Sequence, residues 1–182
     1  MTDSTDLRTL HAGRHLSLVA CGTWEFATRQ VRRPAVGIIA ITDDDRVVLV
    51  EQFRVPVGEK VVEIPAGLAG DVAGSEHESL LESAKRELWE ETGYEAERWT
   101  EIASGYSSPG LTDEEIVLFL AEDIRKRGSG GGDSSENITV HEVPFHQVMP
   151  WLSEHGATAD LKLLAGLFAM HEHRRVRGNS HG

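Results

Sequence analysis

Short runs of hydrophobic residues alternate with polar breaks through the first two thirds of the chain. The runs AVGIIAIT and RVVLVEQF are separated by three aspartates at 43–45, a pattern that predicts a hairpin of buried strands. The stretch LSLVACGTWEFATRQV before them predicts one or two strands. KVVEIPAG after them predicts another strand, which ends at Pro65 and Gly67. Residues 1–15 are polar and are expected to be frayed.

The hydrophobic spacing changes after this region and predicts a helix from about Ser75 to Thr92. Its apolar face consists of Leu80, Leu81, Ala84 and Leu88. Gly93 follows where a helix commonly ends in a left-handed turn.

The remaining pattern predicts strands in WTEIASGY and EIVLFLAEDI around a Pro-Gly turn at 109–110, and a last strand in NITVHEV. The stretch RKRGSGGGDSS between the last two strands is expected to be a mobile loop that cannot pack. Two helices are predicted near 145–154 and 158–174. Strands with interspersed helices indicate a mixed sheet covered by helices.

Composition narrows the functional class. A chain of 182 residues predicts one domain, and its net charge of −12 argues against binding to nucleic acid or to anionic membranes. The single cysteine, Cys21, excludes an internal disulfide and a multi-cysteine zinc site. Since we find neither a signal pattern nor a long apolar stretch, the expected location is cytoplasmic.

Glutamates crowd the end of the predicted helix, at positions 87, 90, 91 and 95. Like charges three or four residues apart on a helix repel each other. Glu87, Glu90 and Glu91 project within one arc of about 100°, away from the apolar face. A solvated acidic face is one interpretation. The other is a site for a hard divalent cation such as Mg²⁺, which carboxylates and free backbone carbonyls bind.

The segment RELWEETGY at 86–94, with Glu78 eight residues before Arg86, resembles the Nudix box. The resemblance departs from the usual spacing: ten residues separate Gly67 from Glu78, where the family has five, and strict spacing would put Val72 at the glycine position. We take Gly67 as the first glycine, because EIPAG is itself similar to the family. The implied fold is α+β, a mixed β-sheet sandwiched between helices, with an N-terminal β segment used for dimerisation.

This resemblance implies three units: an N-terminal tail and β segment at 1–33, a Nudix hydrolase domain at 34–176, and a disordered tail at 177–182. It also implies a metal site for Mg²⁺, with Mn²⁺ as a possible substitute. Its ligands would be Glu87 and Glu91, Glu90 directly or through water, and the backbone carbonyl of Ala66.

Two further box residues have alternative interpretations. The resemblance implies that Arg86 orients the glutamates, although a simple bridge to Glu90 also fits and both can hold. Glu78 would be the first box glutamate or an ordinary glutamate of the first helical turn.

Four flanking stretches resemble the ADP-ribose, or ADP-sugar, pyrophosphatases: TWEFATR at 23–29, VLVEQFR at 48–54, VEIPAG at 62–67 and SPGLTDE at 108–114. Trp24 would stack on adenine, or would be a core or interface residue, and Glu25 would accept from the adenine amino group. Arg29 and Arg54 would hold the diphosphate. The remaining candidate substrate-binding residues are Glu63, Pro109 and Gly110.

A proton acceptor is also required, because a water that attacks phosphorus must lose a proton. The resemblance points to Glu136, as the base or as a further metal ligand; a solvated loop glutamate is the alternative. The scattered histidines are expected to be surface residues.

The expected activity is Mg²⁺-dependent hydrolysis of ADP-ribose to AMP and ribose 5-phosphate. The alternatives are hydrolysis of another nucleotide sugar such as GDP-mannose and, from a different class, a non-catalytic nucleotide-binding module. The expected partners are the nucleotide sugar and a second copy of the chain, with a monomer as the competing assembly.

Overall fold

The computed structural model describes residues 6–70, 74, 76–132 and 137–179. The chain starts with a separate antiparallel sheet made of β1 (Leu7–Ala12), β2 (Leu16–Cys21) and β3 (Trp24–Arg29). The prediction that residues 1–15 are frayed is therefore wrong for 7–12, which pair with β2. The backbone groups of this segment form their hydrogen bonds with the neighbouring strand. The polar sequence gives no sign of that pairing.

The main sheet has eight strands: β4 (Ala35–Ile41), β5 (Arg46–Arg54), β6 (Glu59–Glu63), β7 (Ala66–Leu68), β8 (Tyr94–Tyr106), β9 (Glu115–Lys126), β10 (Thr139–Pro144) and β11 (Thr158–Ala159). Its order is β11-β6-β5-β4-β9-β8, while β10 pairs with β5 and β7 pairs with β4. Strands β4 and β9 are parallel and most other neighbours are antiparallel. The predicted mixed sheet and its β4–β5 hairpin are confirmed.

Strand β4 divides its pairing between two neighbours. Its last two residues pair with β5, whereas Ala35, Val36 and Gly37 pair with β7. The sheet therefore opens between β5 and the start of β4, and the short strand β7 fills part of the opening. This arrangement brings the backbone of residues 66–68 beside the first helix.

The helices are α1 (Leu80–Thr92), α2 (Val148–Glu154) and α3 (Leu161–Asn179), with a 3₁₀ turn at Phe145–Gln147. Helix α1 begins at Leu80 rather than near Ser75, because Ser79 caps it by accepting a hydrogen bond from the backbone N–H of Glu82. Helix α3 begins at Leu161 and continues to Asn179, beyond the end predicted near 174.

The helices cover both faces of the main sheet. On one face, Ile39 and Leu49 pack with Leu163 and Met170 of α3 and with α2. On the other face, Ile38, Val48 and Phe119 pack with Ala84 and Leu88 of α1. Alternate residues of β4 and β5 thus serve opposite layers, as the period of a strand requires. The sandwich of a sheet between helices is confirmed.

The glycine-rich stretch at 125–135 was predicted to be unable to pack, and this is wrong for its described part. Residues 125–126 complete β9, and Gly131 and Gly132 donate hydrogen bonds to backbone carbonyls of α1. Residues 133–136 lie outside the described part of the chain. Within that part, no helix is long and apolar enough to cross a membrane.

Candidate active site

Helix α1 presents its glutamates to two different environments. Glu87 and Glu91 are buried, with 8% and 3% of the whole residue exposed, whereas the side chain of Glu90 is 49% exposed. Glu87 and Glu91 lie one turn apart on the face that turns toward β7. The interpretation of these glutamates as a solvated face therefore fits Glu90 and does not fit Glu87 and Glu91.

Strand β7 fits closely against these two carboxylates. The backbone N–H of Ala66 donates to Glu91 Oε2 at 3.1 Å. A Cβ atom on Gly67 would lie 2.0 Å from Glu87 Cδ, so only glycine lets the strand approach the Glu87 carboxylate this closely. This contact supports the assignment of Gly67 as the first glycine of the motif.

Arg86 lies at the centre of the acidic cluster. Its Nη1 donates to Glu87 Oε1 at 2.8 Å and to Glu90 Oε2 at 3.2 Å, so both contacts expected of this arginine are present. Its Nη2 donates to Glu78 Oε1 at 3.1 Å and to the carbonyl oxygen of Leu68 at 3.3 Å. Burial lowers the pKa of the Arg86 guanidinium, but Glu78, Glu87 and Glu90 together outweigh burial and raise it.

Glu78 precedes α1 and lies outside its first turn, so the alternative of an ordinary first-turn glutamate is wrong. Besides Arg86, it accepts a hydrogen bond from the backbone N–H of Gly70, and Arg33 donates to its backbone carbonyl. Burial raises the pKa of the Glu78 carboxyl, but the hydrogen bonds from Arg86, Ser83 and Gly70 have the larger combined effect and lower it. Glu78 thus joins the long loop to the helix.

A cleft of about 1530 Å³ opens in front of these carboxylates. Six of the predicted site residues line it: Arg29, Arg54, Glu63, Ala66, Glu87 and Glu91. Among the described residues of this single chain, Trp24, Glu25, Pro109 and Gly110 are not part of the lining, and neither are Arg86 and Glu90. Trp24 is 63% exposed on the separate N-terminal sheet. Glu136 lies outside the described residues.

The cleft lining also contains an ion-pair network around Glu63, whose exposure is 1%. Arg54 binds both carboxylate oxygens of Glu63, with Nε at 2.5 Å and Nη2 at 2.9 Å. The hydrogen bonds to Glu63, followed by the charges of Glu63, Glu91 and Asp160, raise the pKa of Arg54, although burial lowers it. Glu63, predicted to reach substrate or a metal-bound water, therefore has both oxygens engaged by Arg54 in this structure.

Lys162 is a cleft residue that sequence reasoning missed. Its Nζ lies 3.7 Å from Glu63 Oε2 and also pairs with Asp160. Asp160 accepts from the backbone N–H of Lys162 at 2.6 Å, which places both residues at the start of α3. An aspartate two residues before a lysine at a helix start is a visible capping signal, but nothing local shows that this helix end faces the cleft.

Arg29 connects the N-terminal sheet to the cleft. Its Nε donates to Glu114 Oε1 at 2.7 Å, and the neighbouring Thr28 donates to Asp113 at 2.8 Å. The backbone N–H of Ala27 donates to the carbonyl of Leu111 at 2.9 Å. The predicted segment SPGLTDE thus binds β3 and contributes Glu114 to the cleft lining, whereas Pro109 and Gly110 are not part of that lining.

The donor set fits a hard divalent cation. Within the part of the chain that the structure describes, no three His, Cys, Asp or Glu side chains converge closely enough to form a complete cation site. Mg²⁺ does not require such a cage, since it commonly keeps several waters and uses one or two carboxylates. Glu87 and Glu91 supply two buried carboxylates at the floor of the cleft.

The net charge of the acidic cluster around Arg86 also favours a bound divalent cation. Glu78, Glu87, Glu90 and Glu91 contribute four negative charges, and Arg86 contributes one positive charge, so these five side chains sum to −3. Buried negative charge is costly unless cations compensate it. A cation on the cleft side of Glu87 and Glu91 would provide that compensation.

Comparisons with known proteins agree with the fold. The NUDIX domain family matches residues 31–165. The methanol dehydrogenase activator of Bacillus methanolicus is 38% identical over 126 residues, 68% of this chain and 65% of that protein. The ADP-ribose pyrophosphatase of Bacillus subtilis (strain 168) is 43% identical over 124 residues, 65% of this chain and 63% of that protein.

Two further proteins are similar to this chain at lower sequence identity. A GDP-mannose pyrophosphatase of Escherichia coli (strain K12 / DH10B) is 35% identical over 113 residues, 59% of this chain and 58% of that protein. The crystal structure of an ADP compounds hydrolase has a TM-score of 0.77 at 21% identity, and covers 96% of this chain and 94% of that one. The chain spans just under two thirds of the two Bacillus relatives.

The chain belongs to the Nudix family. The match covers most of its length and includes the segment RELWEETGY, which resembles the Nudix box. Nudix hydrolases generally need a divalent metal, which agrees with the two buried carboxylates at the floor of the cleft.

The lowered pKa of Glu78 predicts a pH-dependent contribution to stability. Its ordinary value is 4.5, and a carboxyl with a lower pKa in the folded state stabilises the protein above that value. Glu78→Gln should lower the free energy of unfolding by about 1–2 kcal/mol at neutral pH. The difference from wild type should shrink as the pH falls below about 4.5, as measured by urea unfolding in chelator.

The matched control is Glu82→Gln, since Glu82 has an exposed side chain that pairs across the surface with Lys85. Its effect should stay below about 0.5 kcal/mol. A Glu78→Gln difference that is the same at pH values above and below 4.5 would show that the carboxylate charge is unimportant.

Proposed function

We propose that this protein is a Mg²⁺-dependent hydrolase of nucleotide sugars that cleaves ADP-ribose into AMP and ribose 5-phosphate. The single observation that carries the proposal is the placement of charges in one cleft. The cleft lining contains the buried carboxylates of Glu87 and Glu91 together with the cationic side chains of Arg54 and Lys162. A diphosphate with its cation needs both kinds of surface.

The chain's own groups have distinct roles in this proposal. Glu87 and Glu91 would hold the metal with the Ala66 carbonyl, and Glu90 would act through water or through Arg86. When bound, Mg²⁺ would neutralise charge on the diphosphate oxygens and lower the pKa of a coordinated water. Arg54, held in place by Glu63, would orient the diphosphate.

Glu136 is proposed as the proton acceptor or as a further ligand. It follows the glycine-rich loop, whose described part packs against the end of α1. In the sequence, Glu136 is four residues after Gly132, whose backbone N–H donates to the carbonyl of Glu90, and this short separation supports the role.

Hydrolysis of another nucleotide sugar is the second candidate, and the similarity to a GDP-mannose pyrophosphatase favours it specifically. The sequence after Pro109 and Gly110 continues with Leu111 rather than with a further glycine, which favours ADP-ribose. A non-catalytic module is disfavoured, because the chain keeps every box glutamate. A cytoplasmic location is part of the same proposal.

We also propose a homodimer that forms through the N-terminal sheet. This sheet carries exposed apolar side chains, including Leu10, Leu18 and Trp24. Such a surface on a small sheet with open edges is typical of an interface between copies. A second copy could place Trp24 and Glu25 at the adenine end of its partner's cleft. That assignment agrees with their absence from the cleft of a single described chain.

Product analysis tests the activity. With Mg²⁺, ADP-ribose should yield AMP and ribose 5-phosphate, and chromatography should show faster conversion than for other ADP-sugars, GDP-mannose or NADH. Glu91→Gln should lower kcat by about three orders of magnitude or more, because it removes a hard anionic ligand while keeping shape. Its free energy of unfolding without metal should be equal or slightly higher, since repulsion is relieved.

The control for Glu91→Gln is Glu95→Gln, a change to a neighbouring glutamate that does not line the cleft and should leave turnover within about twofold. Near-normal turnover of Glu91→Gln at saturating Mg²⁺ would refute the metal assignment. GDP-mannose as the preferred substrate would instead select the second candidate.

Trp24→Ala should raise KM for ADP-ribose by about tenfold or more and change kcat much less. The reason is that adenine lies far from the reacting phosphorus. Its stacking on Trp24 therefore stabilises the bound substrate and the transition state equally. Steady-state kinetics with ADP-ribose and with a substrate that lacks adenine make the comparison. Equal losses on the two substrates would identify Trp24 as a structural residue.

The proposed dimer predicts a mass near twice the 20.0 kDa of one chain in light scattering at micromolar concentration. Leu18→Glu places a charge on the exposed apolar face of β2 and should produce monomers with weaker ADP-ribose binding. Met149→Glu, which charges an exposed apolar residue of α2 outside the N-terminal sheet, is the matched control and should remain dimeric. A wild-type monomer with full activity would contradict the proposal.

A further inference from the structure

The last turn of α1 has its backbone carbonyls bound by a distant loop. A helix normally leaves its last four carbonyls without partners within the helix. Here the carbonyl of Glu91 accepts from the backbone N–H of Gly131 at 2.8 Å, and that of Glu90 accepts from Gly132 at 3.0 Å. Two proposed metal-site residues are thus held through their main chain by the glycine-rich loop.

The same loop is anchored at the turn that ends the helix. The carbonyl of Gly93 accepts from the backbone N–H groups of Arg127 and Gly128 at 2.8 and 3.0 Å. Gly128 also lies against the ring of Trp89, since a Cβ atom on Gly128 would be 2.8 Å from Trp89 Cη2. The loop therefore has contacts along the whole last turn.

Glycine is required at the centre of this contact. Gly130, Gly131 and Gly132 have φ values of +64°, +110° and +75°, in the region that other residues rarely adopt. A Cβ atom on Gly130 would lie 2.4 Å from the carbonyl carbon of Thr92 and 2.7 Å from the carbonyl oxygen of Glu91. The backbone of the loop thus lies directly on the backbone of the helix.

The electrostatics of α1 explain why its last turn needs support. The carboxylates of Glu90 and Glu91 lie at the helix C-terminus, where the macrodipole disfavours negative charge, and the last turn has no basic residue. Mutual repulsion and the dipole both favour fraying of this turn. Backbone N–H groups bring partial positive charge to the same carbonyls and oppose that fraying.

We propose that residues 127–132 are a positioning element that holds the acidic turn of α1 in the geometry needed to bind the divalent cation. This inference rests on the metal site of the proposed function. The glycines act through Glu90 and Glu91 and have no contact with the cation. Their role is to keep the main chain of both glutamates helical while the carboxylates repel each other.

The test compares two glycine substitutions with similar backbone strain. Gly130→Ala places a methyl group against α1, whereas Gly156→Ala, at φ +57°, has no neighbour within 4 Å and lies after α2. Mn²⁺ binding is measured by electron paramagnetic resonance without substrate. Gly130→Ala should weaken Mn²⁺ binding about tenfold or more, as supporting contacts of metal ligands commonly do. Gly156→Ala should stay within about twofold of wild type, although its left-handed backbone costs similar stability.

Hydrogen exchange of the Gly131 and Gly132 amides reports whether the loop has left the helix. Faster exchange in Gly130→Ala together with unchanged Mn²⁺ affinity would overturn the proposal, as would equal weakening by Gly156→Ala. If Gly130→Ala does not fold, Trp89→Ala removes the ring beneath Gly128 without straining the backbone. It should also release the loop and weaken Mn²⁺ binding, and unchanged affinity despite release would again overturn the proposal.

Mn²⁺ binding and nucleotide-sugar hydrolysis by the wild-type protein distinguish a failure of this inference from a failure of the proposed function. Wild-type protein that binds Mn²⁺ but hydrolyses no nucleotide sugar would refute the activity and leave the positioning role open to the same comparison of variants. Wild-type protein that binds no Mn²⁺ would refute the positioning role itself, because there would be no cation site to support.

Discussion

The guanidinium of Arg86 is the interaction on which the acidic site depends. Glutamates 78, 87 and 90 can lie together only because one delocalised cation donates to all three, and the same group binds the carbonyl of Leu68. Arg86 therefore neutralises charge and also connects the helix to β7 and to the loop before the helix. Lysine could not replace this function, since it lacks a planar group with five fixed donors.

The divided pairing of β4 explains why β7 lies beside Arg86 and the carboxylates of α1. Because β4 leaves β5 after two paired residues, β7 can enter the sheet and bring Ala66 and Gly67 against the buried carboxylates. Arg54, at the end of β5, lines the same cleft, and Glu63 fixes the direction of its guanidinium. Acidic side chains of α1 and basic side chains of β5 and α3 thus line one cleft.

The sequence predicted those features that local patterns specify. Alternating hydrophobicity located most of the strands, and the spacing of Leu80, Ala84 and Leu88 located the helix and its acidic face. It did not predict that 128–132 would pack, because a run of glycines shows flexibility locally and its partners are backbone groups about 40 residues earlier. Lys162 was missed for a related reason: its position at the cleft depends on how α3 docks. The proposed roles of Trp24 and Glu25 likewise depend on an arrangement beyond the single chain.

The contact between Gly93 and residues 127–128 has a consequence for the order of folding. It joins the two ends of a segment that contains all of β8 and β9, the most extensively paired strands of the sheet. Closing so long a segment is entropically costly until the hairpin itself has formed. The acidic turn of α1 is therefore completed late, after the hairpin has brought its base together. A nascent chain would carry its repelling carboxylates on a frayed helix end until residue 132 had been synthesised.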